Sequence, residues 1–158
     1  MLLTRKPILL TNTVNGSIGG LVGITAGCAT MEPTFAVITG LISGVVVIAG
    51  SKLLEMMKLD DVVGAVSVHG FAGAWGTLAA GMFVTGDLFN PVQIGVQLIG
   101  ILAAFAWAFP LALLTYFIVQ KTIGLRASTV DEQRGLDYTE HYEVGYPEFQ
   151  SQPLHQGK

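Results

Sequence analysis

Three long stretches of this chain, residues 34–51, 62–84 and 92–119, contain no Asp, Glu, Lys or Arg. A bilayer hydrocarbon core of about 30 Å is crossed by roughly 20 apolar residues of helix, and each stretch is near or above that length. The composition agrees, since 51% of the 158 residues are hydrophobic and only 12% are charged. The mean hydropathy of +0.61 is hard to reconcile with a soluble domain of this size. The expectation is an all-α membrane protein. A fourth run from Asn15 to Ala29 is shorter and richer in Gly, Thr and Asn, and is also assigned as a span. The resulting organisation is a transmembrane region over 1–119, with spans at about 15–30, 34–54, 62–84 and 92–119, and a polar tail over 120–158 that is disordered after about 146.

The charges give an orientation. Arg5, Lys6, Lys52, Lys58, Lys121, Arg126, Arg134 and Lys158 all fall on one side of a four-span arrangement, whereas the opposite loops carry only Glu32 and Asp87. Basic residues near span ends stay cytoplasmic, so both ends of the chain and the 52–61 loop are expected inside. A three-span arrangement starting at residue 34 would put Arg5 and Lys6 opposite Lys52 and Lys121. Arg5 and Lys6 precede a few apolar residues, but Thr11, Asn12 and Asn15 interrupt them, so no cleaved signal is expected. Cys28 is the only cysteine, which excludes an internal disulfide and a cysteine-rich metal site. Neither a cofactor nor a nucleic-acid partner is expected.

Small residues recur at helical spacing. Gly16 and Gly20 form one series in the first span and Gly19, Gly23 and Gly27 another, while Ala36, Gly40 and Gly44 repeat the device in the second. Such series let helix backbones approach closely in a membrane. At about 100° per residue the third span sorts into two faces. Val68, Phe71, Trp75, Leu78 and Met82 form a bulky stripe, and Ala65, His69, Ala72, Gly73, Gly76 and Ala80 form a small one. His69 is therefore expected on an inward, close-packed face. An ionisable residue inside a span is costly and marks a pathway or relay by default; the alternative is a neutral imidazole hydrogen-bonded to a neighbouring helix. Asp60 and Asp61 open this span, where the helix dipole favours negative charge. Asp60 is read as the cap, and Asp61 either shares that role or projects into a cation pathway. Ser67 and His69 lie two apart on different helix faces, so no enzyme is expected.

The run Asp61-Val-Val-Gly-Ala-Val-Ser-Val-His69-Gly-Phe-Ala-Gly-Ala-Trp-Gly76-Thr resembles the histidine-bearing penultimate span of the ammonium transporter (Amt) family. Asn15-Gly-Ser-Ile-Gly-Gly-Leu-Val-Gly-Ile-Thr25-Ala-Gly-Cys resembles that family's eighth span, and Gly124-Leu-Arg-Ala-Ser, Gly135-Leu-Asp and Glu140-His resemble its cytoplasmic tail. The resemblance implies eleven spans in all, of which these would be the eighth to eleventh, and a homotrimer with one narrow pore per subunit. It makes His69 the second of two adjacent pore histidines. In an apolar pore, dehydrated ammonium is driven to shed its proton, and paired imidazoles can donate and accept in that transfer. Thr25 matches a threonine near the outer recruitment site, where it would accept a hydrogen bond from the ion or serve helix packing. Asp61 matches an acidic residue that orients the histidine span. Ala65, one turn before His69, would line the pore.

No histidine precedes His69, and His141 and His155 lie in the tail, so the twin-histidine pair is not completed within this chain. The function expected is transmembrane movement of ammonium or ammonia in the cell membrane, with this chain as a C-terminal portion supplying one pore histidine and part of the wall. The alternative is a non-conducting anchor or regulatory module presenting the tail. By the same resemblance the tail adjoins the surface bound by P-II type signal proteins, with Gly135 as a turn or hinge and Thr139 at a position phosphorylated in some plant members. Tyr142 stands where the family usually has glycine, and a positive φ there would strain it.

Overall fold

The computed structural model describes residues 10–145. Arg5, Lys6, His155, Lys158 and the disorder expected beyond 146 therefore lie outside the described residues. Helix α1 spans Leu10–Thr25, α2 Pro33–Met56, α3 Ala72–Met82, α4 Pro91–Thr122, α5 Thr129–Arg134 and α6 Leu136–His141. A π-helical turn, Val66–Phe71, leads directly into α3. Among the described residues there is no strand, only an isolated antiparallel bridge between Met31 and Val84. Helices α2 and α4 are long and apolar enough to cross a membrane. Helix α1 is helical from the first described residue and covers 16 described positions.

Local chemistry sets the helix ends. Pro33 opens α2, where its fixed φ suits the first turn and its missing N–H has no partner to lose. The same helix ends with Lys58 in the left-handed region at φ 57° and the Leu59 N–H on the Leu54 carbonyl at 3.0 Å, a wrapped terminus that satisfies a late carbonyl. Asn90 caps α4, its side-chain oxygen accepting from the Val92 N–H at 2.8 Å.

The chain divides into two units, at Ala108 and Phe109. In the first unit, α1 packs on α2 through the expected glycines. Gly20 faces Gly40, so that an added Cβ would sit 3.5 Å from the Gly40 carbonyl, while Gly19 lies against Val47 and Gly23 against Ser43. Thr39, Ser43 and Ser67 are fully buried. Their polarity is absorbed locally: the Ser43 hydroxyl donates to the Thr39 carbonyl at 2.8 Å, which also accepts from the Trp75 indole N–H at 3.1 Å. Gly76 rests on the backbone of Gly23, and a Cβ there would approach the Gly23 Cα to 2.7 Å. Phe35 stacks on Phe83 at 4.9 Å and Phe89 meets Phe83 edge-on, beside the Met31–Val84 bridge.

The two-stripe reading of the third span is corrected. Gly64, Ser67, Val68, Ala72, Gly76, Ala79 and Ala80 are buried, whereas Ala65 and His69 are exposed. The buried line takes Val68 from one expected stripe and Ala72 and Gly76 from the other. The cause is the π turn, which winds about 4.4 residues per turn rather than 3.6 and so shifts the phase of everything before it relative to α3.

In the second unit, the Ser128 hydroxyl accepts from the Asp131 N–H at 3.1 Å and donates to its carboxylate at 2.6 Å, starting α5. The Arg126–Glu132 pair at 3.5 Å is exposed and worth little in water. Gly135, at φ 95°, separates α5 from α6, and the Thr139 hydroxyl donates back to its carbonyl at 3.2 Å. The Asp137 carboxylate accepts from the Gly145 N–H at 3.0 Å, and that bond is the chief cause holding its carboxyl below the ordinary value of 3.8. Tyr142 adopts the left-handed conformation that its replacement of glycine anticipated, at φ 54°. Tyr142→Gly is expected to relieve about 1 kcal/mol of left-handed cost, raising amide-exchange protection over 136–145 roughly fivefold. Unchanged protection would mean that Tyr142 carries no strain.

Candidate functional site

The π turn is pinned at its start by Asp61. Its carboxylate accepts from the Val66 N–H, the Ser67 N–H and the Ser67 hydroxyl, each at 3.0 Å. Gly64 makes this possible, because it turns the chain at φ 73° and has Asn15 pressed against the place a Cβ would occupy. Asp61, not Asp60, is therefore the cap: its side chain folds back over the N–H groups of the turn, and spacing alone could not separate two adjacent carboxylates. Partial burial pushes the Asp61 carboxyl up, but the bonds from Ser67, Val66 and Ala65 outweigh it and bring it below its ordinary value of 3.8. The ionised form is thus favoured by folding. Its contribution is fully present above pH 3.8 and is lost as pH falls through the lowered folded value.

Asp61→Ala is expected to cost about 1–2 kcal/mol by leaving these N–H groups without their cap. Thermal unfolding in detergent checks this, with Asp60→Ala as the comparison. Equal losses in both variants would remove Asp61 from the role.

The site residues do not all meet. Asp61 borders a cleft of about 330 Å³ with Thr11, Asn12, Asn15, Ser51 and Glu55. His69 and Thr25 share a different cleft, of about 510 Å³, whose wall also includes Gly70, Gly73, Thr77 and Phe105. Ala65 is exposed and lines neither. Among the described residues the His69 imidazole makes no hydrogen bond, so the tie to a neighbouring helix offered by the alternative reading is not made. Within the described residues the His69 ring stands on an open wall of this cleft, off the buried line through Val68, Ala72 and Gly76.

The chemistry of the cleft follows from its lining. Gly70, Gly73, Ala74, Ala104 and Ala108 supply a small, apolar surface. The polar groups number three. The Thr25 hydroxyl donates to the Val22 carbonyl at 2.7 Å and the Thr77 hydroxyl to the Gly73 carbonyl at 2.9 Å, so each oxygen retains acceptor capacity only. The imidazole can both donate and accept. Sequence reasoning missed Thr77 as a lining residue, although its place two i+4 steps beyond His69, through Gly73, was a usable signal.

Residues 2–146 match the family model described as Ammonium Transporter Family. The chain belongs to this family. Membership makes it a membrane protein, consistent with the two helices long enough to cross. Among relatives in the ammonium transporter family, the chain is 43% identical over 152 residues to ammonium transporter Amt2 of Archaeoglobus fulgidus, covering 87% of this chain and 32% of that protein. It is 40% identical to a putative ammonium transporter of Synechocystis, covering 87% of this chain and 30% of the relative. A solved structure described as a sensor Amt protein superposes with a TM-score of 0.79 at 35% identity, over 87% of this chain and 36% of that one. The chain thus spans about a third of the length of these relatives, and its fold is the corresponding part of the all-α Amt fold.

Proposed function

We propose that this chain supplies part of a transmembrane pathway for ammonium or ammonia, with His69 as a pore imidazole and Thr25 as an acceptor on the way to it. The observation that carries the reading is the shared cleft: a histidine without a hydrogen bond among the described residues and a threonine from a separate element face one opening lined mostly by apolar residues. Such a lining strips water from a cation without replacing its hydration shell, which favours ammonia plus a proton held by a nearby base. The imidazole is the group in this cleft able to hold that proton. Ala65 would line the pathway only in a fuller assembly, and Asp61 acts on it by positioning the π turn that carries His69.

The same reading places the chain in the cell membrane with several crossings and both of its ends cytoplasmic, as the segregation of basic residues supports. It works within a homotrimer, and a second histidine comes from a span outside this chain. The tail helices α5 and α6, hinged at Gly135 and bearing Thr139, form the regulatory surface facing a P-II type signal protein.

The test is uptake of radiolabelled methylammonium into transporter-deficient cells expressing this chain with and without the N-terminal portion of a relative, after confirming membrane insertion. Uptake above background only with both pieces supports the reading. Absence of uptake in every arrangement, with insertion confirmed, would favour an anchor that presents the tail.

A further inference from the structure

We infer that Thr77 is a third polar residue of the pathway, and that it sets how tightly a small N–H donor is held between His69 and the far end of α3. The inference rests on the proposed reading of the cleft.

Three observations bear on it. First, His69, Gly73 and Thr77 line one cleft together, and Thr77 lies roughly 12 Å along the helix axis from His69 by helical rise. Between them Gly73 leaves the wall bare: a Cβ added there would meet only Val22, at 3.9 Å, so nothing from its own position fills the space. Second, the Thr77 hydroxyl proton is committed to the Gly73 carbonyl at 2.9 Å, as the Thr25 proton is to Val22. Two hydroxyls on separate helices of one cleft are thereby restricted to accepting. Two hydroxyls that can only accept suit a cation bearing N–H groups. Third, Thr77 is half-buried, so a hydrogen bond made there competes less with bulk water than one at exposed Thr25.

The ligand class is a small ammonium ion, ammonium itself or methylammonium. A hydrogen bond to a charged group contributes about 1.5 kcal/mol or somewhat more, which is about a tenfold change in affinity.

The experiment compares Thr77→Val, which keeps shape and removes the hydroxyl, with Thr77→Ser, which keeps the hydroxyl. Both are made in the chain co-expressed with the N-terminal portion of a relative, at matched membrane levels, and methylammonium uptake is measured across concentration. Thr77→Val is expected to raise the half-saturating concentration about tenfold with the maximal rate little changed, and Thr77→Ser to restore it. If His69→Ala abolishes uptake while Thr77→Val leaves the half-saturating concentration unchanged, the role of Thr77 is overturned and the reading of the cleft stands. Equal shifts in the Val and Ser variants also overturn it, since loss of packing rather than of the hydroxyl would then be the cause. If His69→Ala transports as well as the native chain, the reading of the cleft fails first.

Discussion

Gly76→Ala is expected to destabilise the chain by about 3 kcal/mol, at the upper end for a residue forced into a packed site. The methyl group would meet the backbone of Gly23, its carbonyl carbon and Cα both within 2.7 Å, and backbone cannot rotate aside as a side chain can. Helix α3 must therefore move off α1, and the buried contacts made by Ala72 and Ala80 move with it. The proper control is Gly16→Ala, because a Cβ at Gly16 meets nothing within 4 Å and alanine favours helix by up to about 1 kcal/mol. In detergent, the thermal midpoint of Gly76→Ala should fall by roughly 6–12 °C, while that of Gly16→Ala holds or rises. A pair of variants with equal midpoints would show that α1 and α3 do not approach as closely as described.

The second large effect is on transport. His69→Ala, in the two-piece arrangement, is expected to lower uptake about a hundredfold, the scale set by removing a group that positions and transfers a proton. The loss should come without a fall in the stability of this chain expressed by itself, since there the His69 ring is exposed and makes no hydrogen bond among the described residues. His69→Gln separates two roles. Glutamine can still donate and accept a hydrogen bond but cannot take up a proton, so uptake retained by His69→Gln would assign the residue to steadying ammonia, and uptake lost in both variants to proton transfer. Native rates in His69→Ala would remove the imidazole from the pathway.

The long helices were plain in the sequence because a charge-free run of such length has one common solution in a bilayer, and α2 and α4 coincide closely with two of those runs. The α1–α2 contact was equally visible, since Gly19, Gly20, Gly23 and Gly40 mean the same thing wherever two helices cross. The first turns of α1 were less so: Thr11, Asn12 and Asn15 look like a break, yet all three are helical, polar residues being tolerated where they border a polar cleft. What the sequence hid was the π turn. A period of 3.6 was imposed on residues wound more loosely, so Ala65 and His69 were placed with Ala72 and Gly76 although they stand apart from them. The choice between Asp60 and Asp61 was hidden for a related reason, because which carboxylate reaches the N–H groups depends on the turn that Gly64 makes. Thr77 stands in the same motif as His69, eight residues on, but a lone threonine in a span reads equally well as a hydroxyl bonded back to its own helix.

The helices also differ in what change they can absorb. Helix α4 has no buried residue along its 32 positions, but Gln93 and Gln97 stand against Gly81 and Ile101, Ala104, Phe105 and Ala108 line the His69 cleft, so the face it turns to α3 has side chains that can shorten or lengthen without breaking the helix contact. Helix α1 is the opposite case. Its two buried residues, Gly19 and Gly23, are both glycine and already touch Val47 and Ser43, so any heritable substitution there must enlarge the side chain. In a lineage of such chains, substitutions should be purged from the buried face of α1.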